Sequence, residues 1–234
     1  MERVFRITLM LMVFGMFLGC SQNKSGSIEG KVVDGKGQPM SKVKMIAKQM
    51  QPIKGYEQFE TTTGEDGKFV FKGLFPSSEY EIFPYLDNQT AGVRLMLKSG
   101  PEGQTMMLPE PLKIRFTKTK DGVITDNATG LEWYVGPDRD IFWPEAKTWA
   151  ESLTAAGGGW RMPTVSELKA LLTKGAPNNM HPVFQSKITI VWSGQISGDK
   201  KAWFVSFGDG KEFEDTFFGL VAANHKAFAV RSRR

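Results

Sequence analysis

Residues 160–168, WRMPTVSEL, organise the second half of the chain because they carry the signals of a helix start. Thr164 and Glu167 have the spacing of a capping box, in which a hydroxyl and a carboxylate accept backbone N–H groups that the first helical turn leaves unpaired. Pro163 disfavours helical backbone at the residue before it, so the boundary is sharp. The apolar residues that follow share one helical face, and Gly175 suits a helix end. The stretch therefore predicts a turn that leads into a capped helix.

Length and composition describe a globular chain with room for two small domains. The chain has 234 residues, of which 41% are hydrophobic and 24% are charged, and these values are ordinary for folded domains. The formal net charge is +5, and the first 19 residues contribute +1 of it through Arg3 and Arg6 against Glu2. So small a bias does not argue for nucleic acid as a partner.

The first 20 residues have the pattern of an exported lipoprotein. A positively charged start precedes an apolar run over residues 7–18 that is too short to span a bilayer. The run ends in FLGC at residues 17–20, which resembles the bacterial lipobox. That resemblance implies cleavage before Cys20 and its modification by diacylglycerol and a fatty acid such as palmitate. We therefore predict a signal peptide over residues 1–19 and a lipidated tether over residues 20–27.

Cys20 and the residue after it also indicate which cysteine chemistry is possible and in which membrane the chain is expected. It is the only cysteine, so an intrachain disulfide and a two-cysteine metal site are excluded. Ser21 follows it in place of Asp, which by resemblance to the sorting rule of diderm bacteria favours the outer membrane, facing either the periplasm or the surface. An ordinary signal peptide with an incidental cysteine is the alternative.

Residues 28–108 are predicted to form an all-β sandwich. Short alternating runs recur at regular spacing and are separated by turns rich in Gly and Pro. The segments at 30–32, Pro39, 62–71 (with T-x-x-D-G-x-F-x-F) and 73–80 resemble the carboxypeptidase regulatory-like family, a transthyretin-type and immunoglobulin-like sandwich. The resemblance implies a non-catalytic spacer or an adhesive module.

Residues 109–234 are predicted to form a second domain of α+β type. Turn-forming residues at 126–130 separate two short strands. A helix is expected from Pro144, and the capped helix described above follows it. Strands between residues 188 and 231 then complete a meandering antiparallel sheet.

Four motifs occur in order in this second segment: D-x-x-T-G-L-x-W, W-R-M-P-T-x-x-E-L, W-S and a C-terminal V-R-x-R. They are carried by Asp126, Thr129, Gly130, Trp133, Trp160, Arg161, Pro163, Glu167 and Trp192, and by residues 230–233. Together they resemble the Lcl C-terminal domain, named from a Legionella collagen-like adhesin. The resemblance implies a C-type-lectin-like fold and a role in adhesion, since the best-known member binds sulfated polysaccharides.

The sequence departs from this family at three positions. Ala156 and Ser232 stand where many members have cysteine, and Gly159 replaces the aspartate of a D-W-R triplet. The first two departures exclude a disulfide in the domain. The third leaves open whether an acid-dependent contact of the family exists in this chain.

The sequence contains no arrangement typical of a catalyst. His181 and His225 lack the spacing of metal ligands or of a triad, and no P-loop, dinucleotide fingerprint or G-x-S-x-G motif occurs. The acidic residues at 212–215 are most simply a solvated strand rather than a glycosidase pair. Glu65 and Asp66 have the oxygen ligands that Ca²⁺ uses, but such residues beside a glycine are typical turn formers. We therefore predict no metal and no cofactor.

Candidate ligand contacts are the basic and aromatic side chains expected at the surface. Lys200, Lys201 and Arg231 belong to a basic C-terminal stretch that would attract a polyanion if its members shared one face. Scattering over different faces is the alternative. Trp143 is expected in a loop and is the candidate for an exposed aromatic platform.

Arg161 has two interpretations. Its guanidinium either contacts a sulfate or carboxylate of a glycan, or ties the turn to the helix by stacking on Trp160 or pairing with Glu132 or Glu167. We favour the structural role because the motif adjoins a helix start and apolar core residues.

The leading hypothesis is a lipid-anchored envelope protein that binds a sulfated or acidic polysaccharide, or an envelope protein, through its second domain and is not an enzyme. A structural lipoprotein subunit of an envelope complex is the main alternative. An enzyme of the related formylglycine-generating fold is disfavoured, because that chemistry uses active-site cysteines and none follows Cys20. No oligomeric state is predicted.

Overall fold

A computed structural model describes residues 25–184, 186–218 and 225–233. The predicted signal peptide, the lipidation site at Cys20 and most of the tether lie outside these residues. Strands predominate in the described part of the chain, and neither of the two α-helices found there is long and apolar enough to cross a bilayer.

Nine strands come first along the described chain. They are β1 (Gly26–Asp34), β2 (Lys44–Gln49), β3 (Gln58–Thr62), β4 (Lys68–Leu74), β5 (Glu79–Tyr85), β6 (Gln89–Thr90), β7 (Leu95–Lys98), β8 (Thr105–Met107) and β9 (Leu112–Ile114). One sheet has the order β4-β1-β8 with β9 also paired to β1, and a second has the order β3-β2-β5-β7. Both sheets contribute to a single core, so they form the two layers of an all-β first unit.

Alternating side chains build the core of this first unit. Ile28 and Val32 of β1 are fully buried and lie on one face of their strand, as the two-residue period of a strand requires. Phe69 and Phe71 of β4 pack edge to face with their ring centroids 5.6 Å apart. Ile82 of β5 closes the core from the other sheet. The all-β architecture expected for this segment is thus present.

The first unit ends later than the expected boundary at residue 108. β9 runs parallel to β1 and does not pair with the strands that follow it. Leu112 and Ile114 are buried in the first core, whereas Phe116 packs in the second. The boundary therefore lies near residue 115, and the prediction that Ile114 enters the second domain is wrong. A strand of three residues shows no alternation from which its partner could be inferred.

The second unit contains eight strands and both helices of the described chain. They are β10 (Phe116–Thr119), β11 (Ile124–Asp126), β12 (Leu131–Val135), α1 (Trp143–Ser152), α2 (Val165–Ala170), β13 (Ile190–Gly198), β14 (Lys201–Ser206), β15 (Lys211–Thr216), β16 (His225–Lys226) and β17 (Phe228–Ser232). One sheet has the order β17-β12-β11-β10-β6, and the other has the order β15-β14-β13-β16. Trp133 and Phe184 lie in one buried cluster between these elements, and Trp143, Trp160 and Trp192 lie in another.

The two units are joined by pairing as well as by the chain. β6 follows the fifth strand of the sandwich, yet it pairs with β10 of the second unit, with Thr90 opposite Lys118. At a second contact, a Cβ added to Gly35 would lie only 2.5 Å from the backbone nitrogen of Ala128. The two units therefore pack closely against each other.

Both helices are shorter than the sequence suggests. α1 begins at Trp143 and ends at Ser152, and a separate 3-10 turn at Ala155–Gly157 follows it. α2 ends at Ala170, so Gly175 is not its stop. The chain leaves the helix early because Leu172 forms a β-bridge with Met180.

Candidate functional site

The capping box at residues 160–168 is present as predicted. The backbone N–H of Glu167 donates to Thr164 Oγ1 at 3.1 Å, and the backbone N–H of Thr164 donates to Glu167 Oε2 at 2.8 Å. Two N–H groups at the first turn of α2 are thereby satisfied. The geometry fixes where the helix begins and holds the Glu167 carboxylate in place.

Arg161 uses this fixed carboxylate. Its two terminal nitrogens donate to Glu167 at 2.9 and 2.6 Å, and one of them also donates to the carbonyl of Met162 at 3.0 Å. Burial would raise the pKa of the Glu167 carboxyl, but hydrogen bonds from Arg161 and Thr164 outweigh it and hold that pKa below its ordinary value. The structural interpretation of Arg161 therefore has a visible geometry, with Glu167 as the partner.

Arg231 makes two of the contacts that were considered for Arg161, with the Trp160 ring and with Glu132. Its side chain is only 7% exposed, and its guanidinium carbon lies 4.4 Å from the centroid of the Trp160 ring. It pairs with Glu132 at 2.7 Å, because Glu132 and Arg231 are directly opposite in β12 and β17. It also donates to the carbonyls of Ala156 and Gly158 at 2.8 and 2.6 Å. The prediction that Arg231 contacts a ligand is wrong, since the guanidinium is buried and its N–H groups donate to Glu132, Ala156 and Gly158.

Trp143 is not an exposed platform. It is the first residue of α1 and only 6% exposed, with its ring stacked on Phe217 at 4.6 Å between centroids. Its indole N–H donates to the carbonyl of Ser193 at 2.8 Å. The exposed aromatic residue in this region is its neighbour Phe142, which packs edge to face on Phe218. The prediction of an exposed Trp143 is wrong because the helix starts one residue earlier and turns the ring inward.

Several basic residues of the C-terminal stretch are paired or buried in the described part of the chain. Lys201 pairs with Glu214 across β14 and β15 at 3.0 Å, while Lys200 sits at the hairpin tip with a positive φ of 53°. Lys226 is almost fully buried and pairs with Asp138 at 2.8 Å. The structure thus favours the alternative in which these charges are scattered.

The remaining signature residues lie where they organise backbone. Asp126 is 1% exposed and accepts two hydrogen bonds from Arg115 at 3.1 and 2.9 Å. Thr129 and Gly130 complete the turn between β11 and β12, where Gly130 has the positive φ of 77° that favours glycine. The carbonyl of Pro163 accepts from the backbone N–H of Gly194 at 2.7 Å. Trp133 and Trp192 are both 1% exposed and fill the two buried clusters.

Among the titratable groups considered from the sequence, His225 and Asp215 lie together, with Nε2 4.0 Å from Oδ2. Glu212 pairs with Lys169, and the ring of His225 stacks on Trp192 at 3.9 Å. Asp66 accepts from the backbone N–H of Lys68 at 3.0 Å, as a turn former does. Among the residues that the structure describes, no three His, Cys, Asp or Glu side chains are grouped so as to hold a metal ion.

A cleft opens where the two units meet. Two adjoining cavities of about 410 and 290 Å³ share the residues Tyr85, Leu86, Gln89, Thr90 and Lys118, and we call this surface the inter-unit cleft. The β6–β10 pairing contributes to its lining, because Thr90 and Lys118 are opposite each other there. Its dimensions suit a small ligand or part of a chain molecule, and junctions between domains are preferred places for such sites.

The charge of the inter-unit cleft has a single sign. Every charged side chain that the described residues contribute to its lining is basic, namely Arg94, Lys118 and Lys120. Arg94 pairs with Glu81 at 2.9 Å and lies 4.5 Å from the centroid of the Phe83 ring, so its charge is partly offset. Lys118 and Lys120 take part in none of the ion pairs found in the described ranges. An anionic ligand would therefore meet two ammonium groups that no carboxylate pairs directly, with the exposed Asp87 between the lining residues Leu86 and Asn88 in sequence.

The cleft also offers aromatic and amide surface. Tyr85 is 49% exposed and the Lys44 ammonium lies 5.4 Å from its ring centroid. Asn88 and Gln89 are exposed beside it, and their amides can both donate and accept hydrogen bonds. A flat ring, amides and ammonium groups together suit a hydroxylated, anionic ligand such as an acidic sugar chain.

Sequence reasoning did not identify this cleft. Lys118 lies in β10 and Lys120 follows the end of that strand, but neither residue stands out in a chain with 30 basic residues. What brings Tyr85 next to them is the pairing of β6, a strand of two residues, with β10. No local pattern predicts that pairing.

The described chain thus consists of two packed β-rich units with a basic cleft between them. Residues 122–231 match the family model of the Lcl C-terminal domain, and this match lies within the second unit. No curated protein matches the chain. The solved structure of the Yersinia pseudotuberculosis adhesin InvE is similar over 89% of this chain and 70% of that chain, with 12% identity and a TM-score of 0.30. That likeness is too distant to bear on fold or function.

Proposed function

We propose that this chain is a lipid-anchored protein of the cell envelope that acts by binding or adhesion, without catalysis. In this proposal Cys20 carries the anchor, the first unit is a spacer, and the second unit, with its C-type-lectin-like fold, helps to present the contact surface. The match of residues 122–231 to the Lcl C-terminal domain supports a surface or envelope role. The partner is a sulfated or otherwise acidic glycan.

The single observation that carries the glycan proposal is the one-sign charge of the inter-unit cleft. Lys118 and Lys120 present ammonium groups without carboxylate partners, beside the exposed ring of Tyr85. Sulfate and carboxylate groups of a glycan would be attracted by these charges, while sugar rings would pack on the aromatic face. By contrast, Arg231 and Trp143 are buried, and Lys201 is paired.

Two double variants test this assignment. Lys118→Ala with Lys120→Ala removes the unpaired charges of the cleft, and Lys200→Ala with Lys201→Ala removes the same number of charges from the β13–β14 hairpin. We expect the first pair to weaken heparin binding markedly and the second to leave it nearly unchanged. Binding should also fall steeply with salt, since exposed charges are screened within about 10 Å at 0.1 M ionic strength. Equal losses in both variants would show general charge attraction, and unchanged binding in the first would remove the cleft from the proposal.

The anchor has an independent test. Metabolic labelling with a fatty acid should mark the wild-type chain and leave Cys20→Ala unmarked. Equal labelling of both chains would exclude acylation at Cys20. Crosslinking in cells tests whether the partner is a protein. Capture of one stoichiometric envelope protein, with the same yield after glycans are removed, would favour a structural subunit over glycan binding.

A further inference from the structure

The described chain begins at one end of the first unit, which we call the exit pole. It consists of Ser25 and of the loops at residues 50–57, 75–78 and 99–104. The backbone N–H of Gly103 donates to the carbonyl of Ser25 at 3.0 Å, so the start of the described chain is bonded to the last of these loops. The strand ends place all three loops together: β1 begins at this pole, and β4 ends there with Leu74 opposite Gly26.

Large apolar side chains are exposed at the exit pole. Met50 is 48% exposed, Ile53 38% and Phe75 37%, and they come from two loops that are separated in sequence. Tyr56 packs edge to face on Phe75 with 5.2 Å between ring centroids, which joins the two loops into one surface. Exposing several such residues together costs hydrophobic free energy in water and indicates a surface that is covered by another phase or molecule.

The loops of the exit pole are held in place by hydrogen bonds. The backbone N–H of Ile53 donates to the side-chain carbonyl of Gln49 at 2.8 Å. The hydroxyl of Ser99 donates to the carbonyl of Phe75 at 2.6 Å, and the N–H of Ser77 donates to the carbonyl of Gly100 at 3.1 Å. The apolar side chains therefore project from a fixed framework and cannot withdraw into the core by a simple loop shift.

The short length of chain between Cys20 and Ser25 indicates that the bilayer covers this surface. Five residues extend at most about 18 Å even when fully stretched. If Cys20 is acylated, as the proposed function holds, Ser25 must stay within that distance of the bilayer surface, together with the loop at residues 99–104 that is bonded to it. No other end of the first unit is constrained in this way.

We propose that the exit pole rests on the bilayer, with Met50, Ile53 and Phe75 inserted at the level of the lipid headgroups. Apolar side chains at this depth add to an acyl anchor by the same burial of hydrocarbon. The arrangement also orients the molecule. β5 runs from Glu79 at this pole to Tyr85 in the inter-unit cleft, and its seven residues place the cleft about 20 Å further from the membrane.

Single-cysteine labelling tests the orientation on the intact lipidated chain. Because Cys20 is the only native cysteine and is consumed by the anchor, an introduced cysteine is the only free thiol. Ile53→Cys and Met50→Cys report on the exit pole, and Tyr85→Cys is the matched control, an exposed side chain at the other end of the sandwich. Each variant is labelled with an environment-sensitive dye and placed on liposomes of phosphatidylethanolamine and phosphatidylglycerol, with or without brominated lipid.

We expect a blue-shifted emission and strong quenching by brominated lipid at positions 53 and 50, and neither at position 85. Equal responses at all three positions, or none at any of them on chains that do cosediment with liposomes, would overturn the contact while leaving the anchor intact. If the chain with Cys20 intact cosediments no better than Cys20→Ala, the anchor itself fails and the membrane contact fails with it.

Discussion

Replacing Arg231 by methionine tests whether this residue is a structural support or a ligand contact. Methionine keeps the apolar stem but removes the guanidinium that pairs with Glu132 and donates to two backbone carbonyls. Glu132 is only 14% exposed, so the change leaves a carboxylate that is largely buried and has lost its partner. Removing one member of a buried pair typically costs about 3–5 kcal/mol. A domain of this size has a total stability of about 5–15 kcal/mol, so we expect a large but measurable loss.

Tryptophan fluorescence during urea unfolding is the suitable assay. All six tryptophans lie between Trp133 and Trp203, so the signal reports the second unit alone. The double variant Arg231→Met with Glu132→Leu removes the stranded carboxylate as well, and it should recover part of the loss. A loss below about 1 kcal/mol for Arg231→Met would mean that the Arg231–Glu132 pair is no stronger than an exposed ion pair. That result would refute the structural role of Arg231. A double variant as unstable as the sum of both single variants would show that the two residues do not act as a pair.

Three further predictions concern single residues. Arg161→Ala should lower the stability of the second unit by about 1–2 kcal/mol in the same urea assay while heparin binding is kept, and a loss of binding at unchanged stability would contradict the structural role. Burial, helped by the nearby charge of Arg115, lowers the pKa of His181 below its ordinary value, so the unfolded state takes up the proton first. The melting temperature of the second unit should therefore fall as the pH drops below about 6.5, and His181→Asn should flatten that slope; an equal slope in both chains would refute it. Gly35→Ala would place a Cβ 2.5 Å from the backbone of Ala128, and we expect a loss of about 1–3 kcal/mol by calorimetry, with no loss if the two units do not pack in solution.

Features set by neighbours in sequence were predictable. The capping box of Thr164 and Glu167 and the turn that ends at Gly130 depend on residues within a few positions of each other, and both are present. The longer strands of the first unit, unlike the short β6, β8 and β9, also lie close to where alternation predicts them. In these places local chemistry and tertiary packing favour the same backbone.

Features set by distant pairing were not predictable. Arg161 and Arg231 have the same donors, and what separates them is the register of β12 and β17, which places Arg231 opposite Glu132. The inter-unit cleft depends on β6, whose two residues carry no recognisable pattern, and on the charges of Lys118 and Lys120, which are ordinary in isolation. Contacts of this kind follow from the topology of the sheets.

The cleft and the exit pole lie at opposite ends of β5 in the first unit. The exit pole holds the apolar loops and the chain that leads to Cys20, while the cleft lies at the far end of β5 beside the second unit. A protein held at the bilayer by the first surface would present the second one away from the membrane. That separation is what a binding protein of the envelope requires.

Hydrogen exchange of the full chain with and without a heparin oligosaccharide tests whether the inter-unit cleft binds the glycan, because it locates the contact. We predict slower exchange in the segments 85–94 and 116–120, which contribute residues to the lining of the cleft, and unchanged exchange in the β14–β15 hairpin. Protection confined to residues 200–216, or no protection at a saturating concentration of the oligosaccharide, would contradict the account.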